Sequence, residues 1–212
     1  MNLFAKRTIM TVVGVFLCSF AIAVFMHSGF GLDPFQCCSQ GMYRVFSEKM
    51  SYGLFYMIWS CVLLVVDLFL DRSQLGVATF ANLFLTGYIA DASKAFMNFL
   101  FPAPGLALRI VLLFVGFVIT CLGASLYFTS HQGVSVYDAI ANGLADKKIA
   151  IRGHVIPFKY IRICTDVICV LTGMVFGLMP GIGTIITAFF MGPLIDWFQV
   201  HLARPMLGIR NA

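Results

Sequence analysis

The chain has 212 residues, of which 60% are hydrophobic and 11% charged, with 22 Phe and a mean hydropathy of +0.94. A soluble domain carries about a quarter charged residues, so this composition excludes a water-soluble globular protein and describes one that crosses a membrane several times. A net charge of +5 is then a topology signal, and no nucleic-acid partner is expected.

Long apolar runs begin near Thr8, Leu54, Leu75, Leu106, Tyr160 and Gly181. Each is roughly 17 to 24 residues, the length a helix needs to cross about 30 Å of hydrocarbon, so six crossings are the expected minimum. The first run follows Lys6 and Arg7 without a clean small-residue cleavage site, and it is expected to be retained. Between the first two runs the chain reads GFGLDPFQCCSQGM (29–42). Asp33 before Pro34 is a helix start: the carboxylate accepts from unpaired backbone amides and proline suits the first helical position. The thirteen residues from Pro34 to Phe46 would rise only about 20 Å as a helix. That is too short to cross. A second interruption, HQGVSVYDAIANGL (131–144), places Ser135 where the first has Asp33.

Sliding the chain by 102 residues pairs Arg7 with Arg109, Gly14 with Gly116, Gly31 with Gly133 and Gly41 with Gly143. Further on the offset is 105, laying LGVATFANLFLTGYIAD (75–91) over PGIGTIITAFFMGPLID (180–196). The expected organisation is an all-α polytopic membrane protein of two tandem repeats, 1–102 and 103–212, each with three long transmembrane helices plus one short broken helix. If the short helices cross, the repeats are parallel, four plus four; if they dip and return, the repeats are inverted, three plus three. With an inside amino terminus and short helices that cross, only Arg72 of the 14 Lys and Arg falls outside. In the inverted arrangement Arg44, Lys49, Lys94 and Arg109 move outside. The charge count therefore favours the parallel arrangement with both termini cytoplasmic.

Irregular backbone at membrane depth is tolerated only where protein buries it or where it lines a wet cavity. Both interruptions should therefore face the interior between the halves. Asp33, Gln36, Ser135 and Asp138 are the candidate solute-binding residues there, with Asn82, Thr79, Thr184 and Thr187 of the last long helices as cavity lining. Ordinary N-caps and small-residue helix packing are the plain alternatives. Arg162 and Asp166, four residues apart within a helix, are expected to form a coupling or structural pair.

The seven Cys (Cys18, Cys37, Cys38, Cys61, Cys121, Cys164, Cys169) match no zinc or redox spacing and read as small packing residues. No HExxH or GxSxG occurs, so neither an enzyme nor a metal or cofactor is expected.

The glycine-rich turn GLDPF, the late GIGTIITAFFMGPLID segment and the chain length together resemble the YitT/YczE-like bacterial integral membrane proteins, YczE-like being the nearer fit. The resemblance implies a multi-pass protein of the bacterial cytoplasmic (inner) membrane and brings no substrate. GVSVYD lacks the Asp-Pro of its partner, and the soluble carboxy-terminal domain of YitT-type members is absent. The leading expectation for function is a small permease that moves a small polar or charged solute through a central cavity; a non-transporting scaffold or accessory subunit is the alternative. Expected partners are membrane lipids and a small-molecule solute, with a homodimer left open.

Overall fold

The computed structural model describes residues 2–147, 150–151, 154–155 and 158–208. Lys148, Arg152 and Arg210 of the charge count lie outside them. The chain forms α1 (Leu3–Ser28), α2 (Pro34–Phe46), α3 (Tyr52–Leu70), α4 (Val77–Leu100), α5 (Leu106–Thr129), α6 (Val136–Asp146), α7 (Phe158–Val175) and α8 (Ile182–Phe198). A wide turn, Gln199–Ala203, carries α8 into the short α9 (Arg204–Met206). The loop between α6 and α7 departs from an all-helical fold by one small antiparallel pair, β1 (Ala150–Ile151) with β2 (His154–Val155).

Among the described residues, four stretches are long and apolar enough to cross a membrane: α1, α3, α5 and the 25 residues from Ile182 to Met206. Two of the six expected crossings do not reach that standard. Their polar residues explain it: α4 carries Asn82, Asp91 and Lys94, and α7 carries Lys159, Arg162 and Asp166. The bundle is apolar outside and polar within. Phe80, Phe84 and Phe96 of α4 and Phe189 and Phe190 of α8 are exposed, whereas Thr11, Ser19, Ser60, Asp67 and Thr79 are fully buried. A water-soluble helix bundle shows the reverse, because there apolar area is removed from water.

The centre of the bundle is the crossing of α1 and α5. A Cβ on Gly14 would lie 2.6 Å from the Gly123 carbonyl oxygen, and one on Gly123 2.7 Å from that of Gly14. Small residues let helix backbones approach closely in lipid, where packing and interhelical bonds replace the hydrophobic drive. Thr11 at the start of α1 donates to Ser130 beyond the end of α5 (2.8 Å), and Arg109 near the start of α5 donates through Nε to Ser28 O at the end of α1 (2.7 Å). The two helices are thus antiparallel.

This corrects the parallel arrangement expected from the charge count. In that arrangement Arg109 would share an end of the bundle with Arg7, which is 21 residues and about 32 Å along α1 from Ser28. The count took every Lys and Arg as a topology signal. In the structure Arg109 holds the Ser28 carbonyl and lies 5.1 Å from the centre of the Phe30 ring, and Arg44 donates to Gly177 O. Both cations serve carbonyls near helix carboxyl ends, where positive charge is favourable whichever side of a membrane it faces.

The other helices follow from this axis. Met97 of α4 clusters with Ala23 and Val24 of α1, while Cys121 of α5 reaches Met191 O of α8, so α4 packs beside α1 and α8 beside α5. α3 returns antiparallel to α4: Gly53 N donates to Asp91 Oδ2 (2.7 Å) and Tyr56 to Asn82 Oδ1 (3.0 Å). In the turn after α3, Asp71 accepts from Ser73 N (2.9 Å) and Ser73 Oγ (2.7 Å), which holds its carboxyl below the usual range. Met10, Leu126, Ala203 and Leu207 cluster together, placing the described parts of both chain ends at one end of the bundle.

Candidate functional site

Two broken turns shape the interior. Gly31 has φ +109° and Gly133 φ +93°, conformations that L side chains rarely adopt. Both also sit too close to a neighbour for a side chain: a Cβ would lie 2.7 Å from Gly181 N at Gly31 and 2.5 Å from Gly76 N at Gly133. The turn before α2 therefore docks on the start of α8, and the turn before α6 on the start of α4. Backbone bonds seal both: Gly183 N to Phe30 O (2.8 Å) and Ala78 N to Gln132 O (2.9 Å). Unpaired donors at a helix start are thus satisfied by a carbonyl of an irregular turn, which removes the cost of leaving either group bare in hydrocarbon.

From these turns α2 and α6 start in the interior, nearly head to head. Phe35, second in α2, stacks on Tyr137, second in α6, with ring centres 4.7 Å apart. Their far ends then diverge. Gly41 of α2 packs on Gly173 of α7, and Arg44 lines the same crevice as Gly29 and Gly31 at the end of α1; Gly143 of α6 packs on Leu70 and Asp71. Each short helix begins inside and leaves by the end of the bundle from which its turn entered.

Between them lies a cavity of about 540 Å³. On the α2 side, Asp33 Oδ1 accepts from Gln36 N (3.1 Å) as the N-cap. Gln36 Oε1 accepts from Tyr52 (2.7 Å), and Asn82 Oδ1 from Tyr56, one turn further along α3. On the α6 side, Asp138 is fully engaged: Oδ1 contacts Arg162 at 2.5 Å, and Oδ2 accepts from Tyr127 (2.6 Å) and Ser135 (2.7 Å). Ser135 Oγ accepts in turn from Asp138 N (3.2 Å), so it caps α6 as expected. Tyr137 donates to Asp166, and Arg162 stacks over the Tyr137 ring at 4.6 Å. Arg162 and Asp166 do approach, at 3.6 Å, but the nearer partner of Arg162 is Asp138.

Asp33, Gln36, Asn82, Ser135, Asp138, Arg162, Asp166 and Thr187 all line this cavity. Thr79 and Thr184 do not. They hold helix starts: Thr79 Oγ1 accepts from Gly76 N (3.1 Å) and donates to Val134 O (2.6 Å), and Thr184 Oγ1 accepts from Gly181 N (3.3 Å). Sequence reasoning missed the tyrosines Tyr52, Tyr56, Tyr127 and Tyr137, whose hydroxyls orient the polar lining. The i, i+4 spacing of Tyr52 and Tyr56 beside the short helix was the available signal. Among the described residues no three His, Cys, Asp or Glu side chains converge as metal ligands.

Residues 5–200 match a family of unknown function, DUF6198. The chain belongs to that family. It is also similar to an uncharacterized protein of Haemophilus influenzae, with 24% identity over 177 residues, covering 84% of this chain and 76% of the relative. No solved structure matches.

Proposed function

We propose that the protein is a small permease that moves a polar or charged solute through the central cavity. The observation that carries this reading is the cavity itself, bounded by two interrupted helices whose starts meet in the interior and whose polar side chains face inward. Half-helix starts and unwound backbone can replace the hydration of a solute where protein shields them from lipid. A volume of about 540 Å³ falls in the range of small-molecule sites.

We further propose that 1–102 and 103–212 are tandem halves with inverted topology, three crossings and one re-entrant helix each. In favour are the matched contacts: Phe30 O with Gly183 N mirrors Gln132 O with Ala78 N, and Gly31 against Gly181 mirrors Gly133 against Gly76. The antiparallel pairing of α1 with α5 has the same sense. Six crossings would put both termini on one side, and the resemblance to YitT/YczE-like proteins would make the membrane the bacterial cytoplasmic one, with the termini inside.

The test is uptake into proteoliposomes screened over amino acids, organic acids, nucleobases and metal ions. Protein-dependent accumulation of one class supports the permease. Folded, correctly inserted protein that moves none of them would overturn it in favour of a scaffold or accessory subunit.

A further inference from the structure

The two sides of the cavity are alike in fold and unequal in chemistry. On the α6 side every charged group has a partner: Asp138 has three, and Arg162 is shared between Asp138 and Asp166. The α2 side is left open. Asp33 has one bond, from the Gln36 backbone, and no described side chain donates to its other oxygen. Among the described residues the charged groups that act on it are Asp166, Arg162 and Asp138, with Asp196 lining the same cavity, and Arg162 is already held by two carboxylates. Gln36 and Asn82, 5% and 7% exposed, give their carbonyl oxygens to Tyr52 and Tyr56. Among the described residues their amide nitrogens have no partner, and they are left to the cavity they line. Thr86 is 3% exposed and lines the cavity too; its hydroxyl lies beside Tyr56 but outside hydrogen-bonding geometry.

Amide donors that face a cavity without a protein partner are open to an acceptor on a ligand, and a half-buried carboxylate with no cation of its own favours a positive group beside it. The two demands are opposite in sign and adjacent, because Gln36 follows Asp33 by three residues and Asn82 joins Gln36 through neighbouring tyrosines. One ligand satisfies both if it carries a cation and a hydrogen-bond acceptor a few ångströms apart. Phe25, Phe35 and Phe128 add an apolar wall. Resting on the permease reading, we infer that the α2 side binds a small zwitterion of the amino-acid type: its ammonium on Asp33, its carboxylate on the amide groups of Gln36 and Asn82, and an apolar side chain against the phenyl rings.

Three probes separate the contributions: L-phenylalanine carries both charged groups, phenethylamine only the ammonium and 3-phenylpropanoate only the carboxylate. Calorimetric titration of the full chain in detergent should rank them in that order. Asp33→Asn should weaken phenylalanine and phenethylamine at least tenfold at unchanged thermal stability, since Asn caps a helix nearly as well. Gln36→Leu should weaken phenylalanine more than phenethylamine, and Asp71→Asn in the turn after α3 should change neither. The inference is overturned if 3-phenylpropanoate binds as tightly as phenethylamine, if Asp33→Asn binds like wild type, or if none of the three binds. In any of those cases, uptake of another solute class in the proteoliposome screen would leave the permease standing, and no uptake of anything would remove it as well.

Discussion

Asp138 and Asp166 both face Arg162, and replacing each with Asn separates the contact that helical spacing suggests from the one the fold makes. Asp166→Asn loosens a contact at 3.6 Å and leaves an amide oxygen to accept from Tyr137, so it should cost about 1 kcal/mol. Asp138→Asn removes the negative charge that faces Arg162 at 2.5 Å and leaves one acceptor oxygen where Arg162, Tyr127 and Ser135 used two. Breaking a fully buried ion pair costs about 3 to 5 kcal/mol. The Arg162 side chain is 30% exposed, which lowers that part to roughly 2 kcal/mol. A stranded hydroxyl adds about 1 to 2 kcal/mol. The expected total is about 3 to 4 kcal/mol, against about 1 for Asp166→Asn. Reversible SDS or thermal unfolding of both mutants, of Arg162→Gln and of the double mutants would measure the couplings. Asp138 with Arg162 should show the larger interaction energy, because the double mutant no longer strands a charge. Equal losses for the two Asn variants, or additivity in the Asp138–Arg162 cycle, would refute the reasoning.

The broken turns should tolerate no side chain: Gly31→Ala combines a disfavoured φ with a contact at 2.7 Å, and a loss of about 2 to 5 kcal/mol is expected from thermal unfolding, against less than 1 kcal/mol for Gly105→Ala, where nothing lies within 4 Å. In a cysteine-free background, Ser47→Cys and Lys6→Cys should label from opposite faces of the membrane; labelling from the same face would restore the parallel arrangement. Fragments 1–102 and 103–212 expressed separately should each be degraded, since Ala78 N and Gly183 N each lose a carbonyl from the other fragment, and co-expression should restore a stable complex. Stable accumulation of either fragment alone would count against interdependent halves.

What could be read from the sequence was what is local. Gly31, Asp33 and Pro34 carry turn, cap and helix start within four residues, and the structure has all three where the pattern puts them. Asn82 and Thr187 stood out as polar residues in apolar runs, and both line the cavity. Relations between distant segments were illegible. Spacing pairs Arg162 with Asp166 because both are on one helix; the nearer Asp138 arrives from α6. Thr79 and Thr184 carry the same polar signal as Asn82, yet their hydroxyls turn back to the backbone at the helix starts, a choice set by the Gly76 and Gly181 amides beside them. Helix direction failed for the same reason. Arg44 and Arg109 count as loop charges until their carbonyl partners, Gly177 O and Ser28 O, are known.

The inequality of the two sides follows from single residues at the starts of the two short helices. Asp33 and Ser135 both cap a short helix, so either residue meets the backbone requirement. Ser135 is neutral and its hydroxyl has a proton to give, and it gives it to Asp138. Asp33 has none to give when ionised and brings a charge instead. One turn on, the positions are filled the other way: Gln36 is neutral where Asp138 is charged. Asp138 draws Arg162, Tyr127 and Ser135 into a closed network, and with it the α6 side uses up its own polar capacity. The Gln36 side chain draws only Tyr52, so among the described residues its amide nitrogen and the second oxygen of the neighbouring carboxylate stay unused. With Ser, Asp and a second cation on the α2 side, both sides would have closed and left no demand for a ligand. The exchange of charge between cap and first turn is what leaves one side of the cavity open.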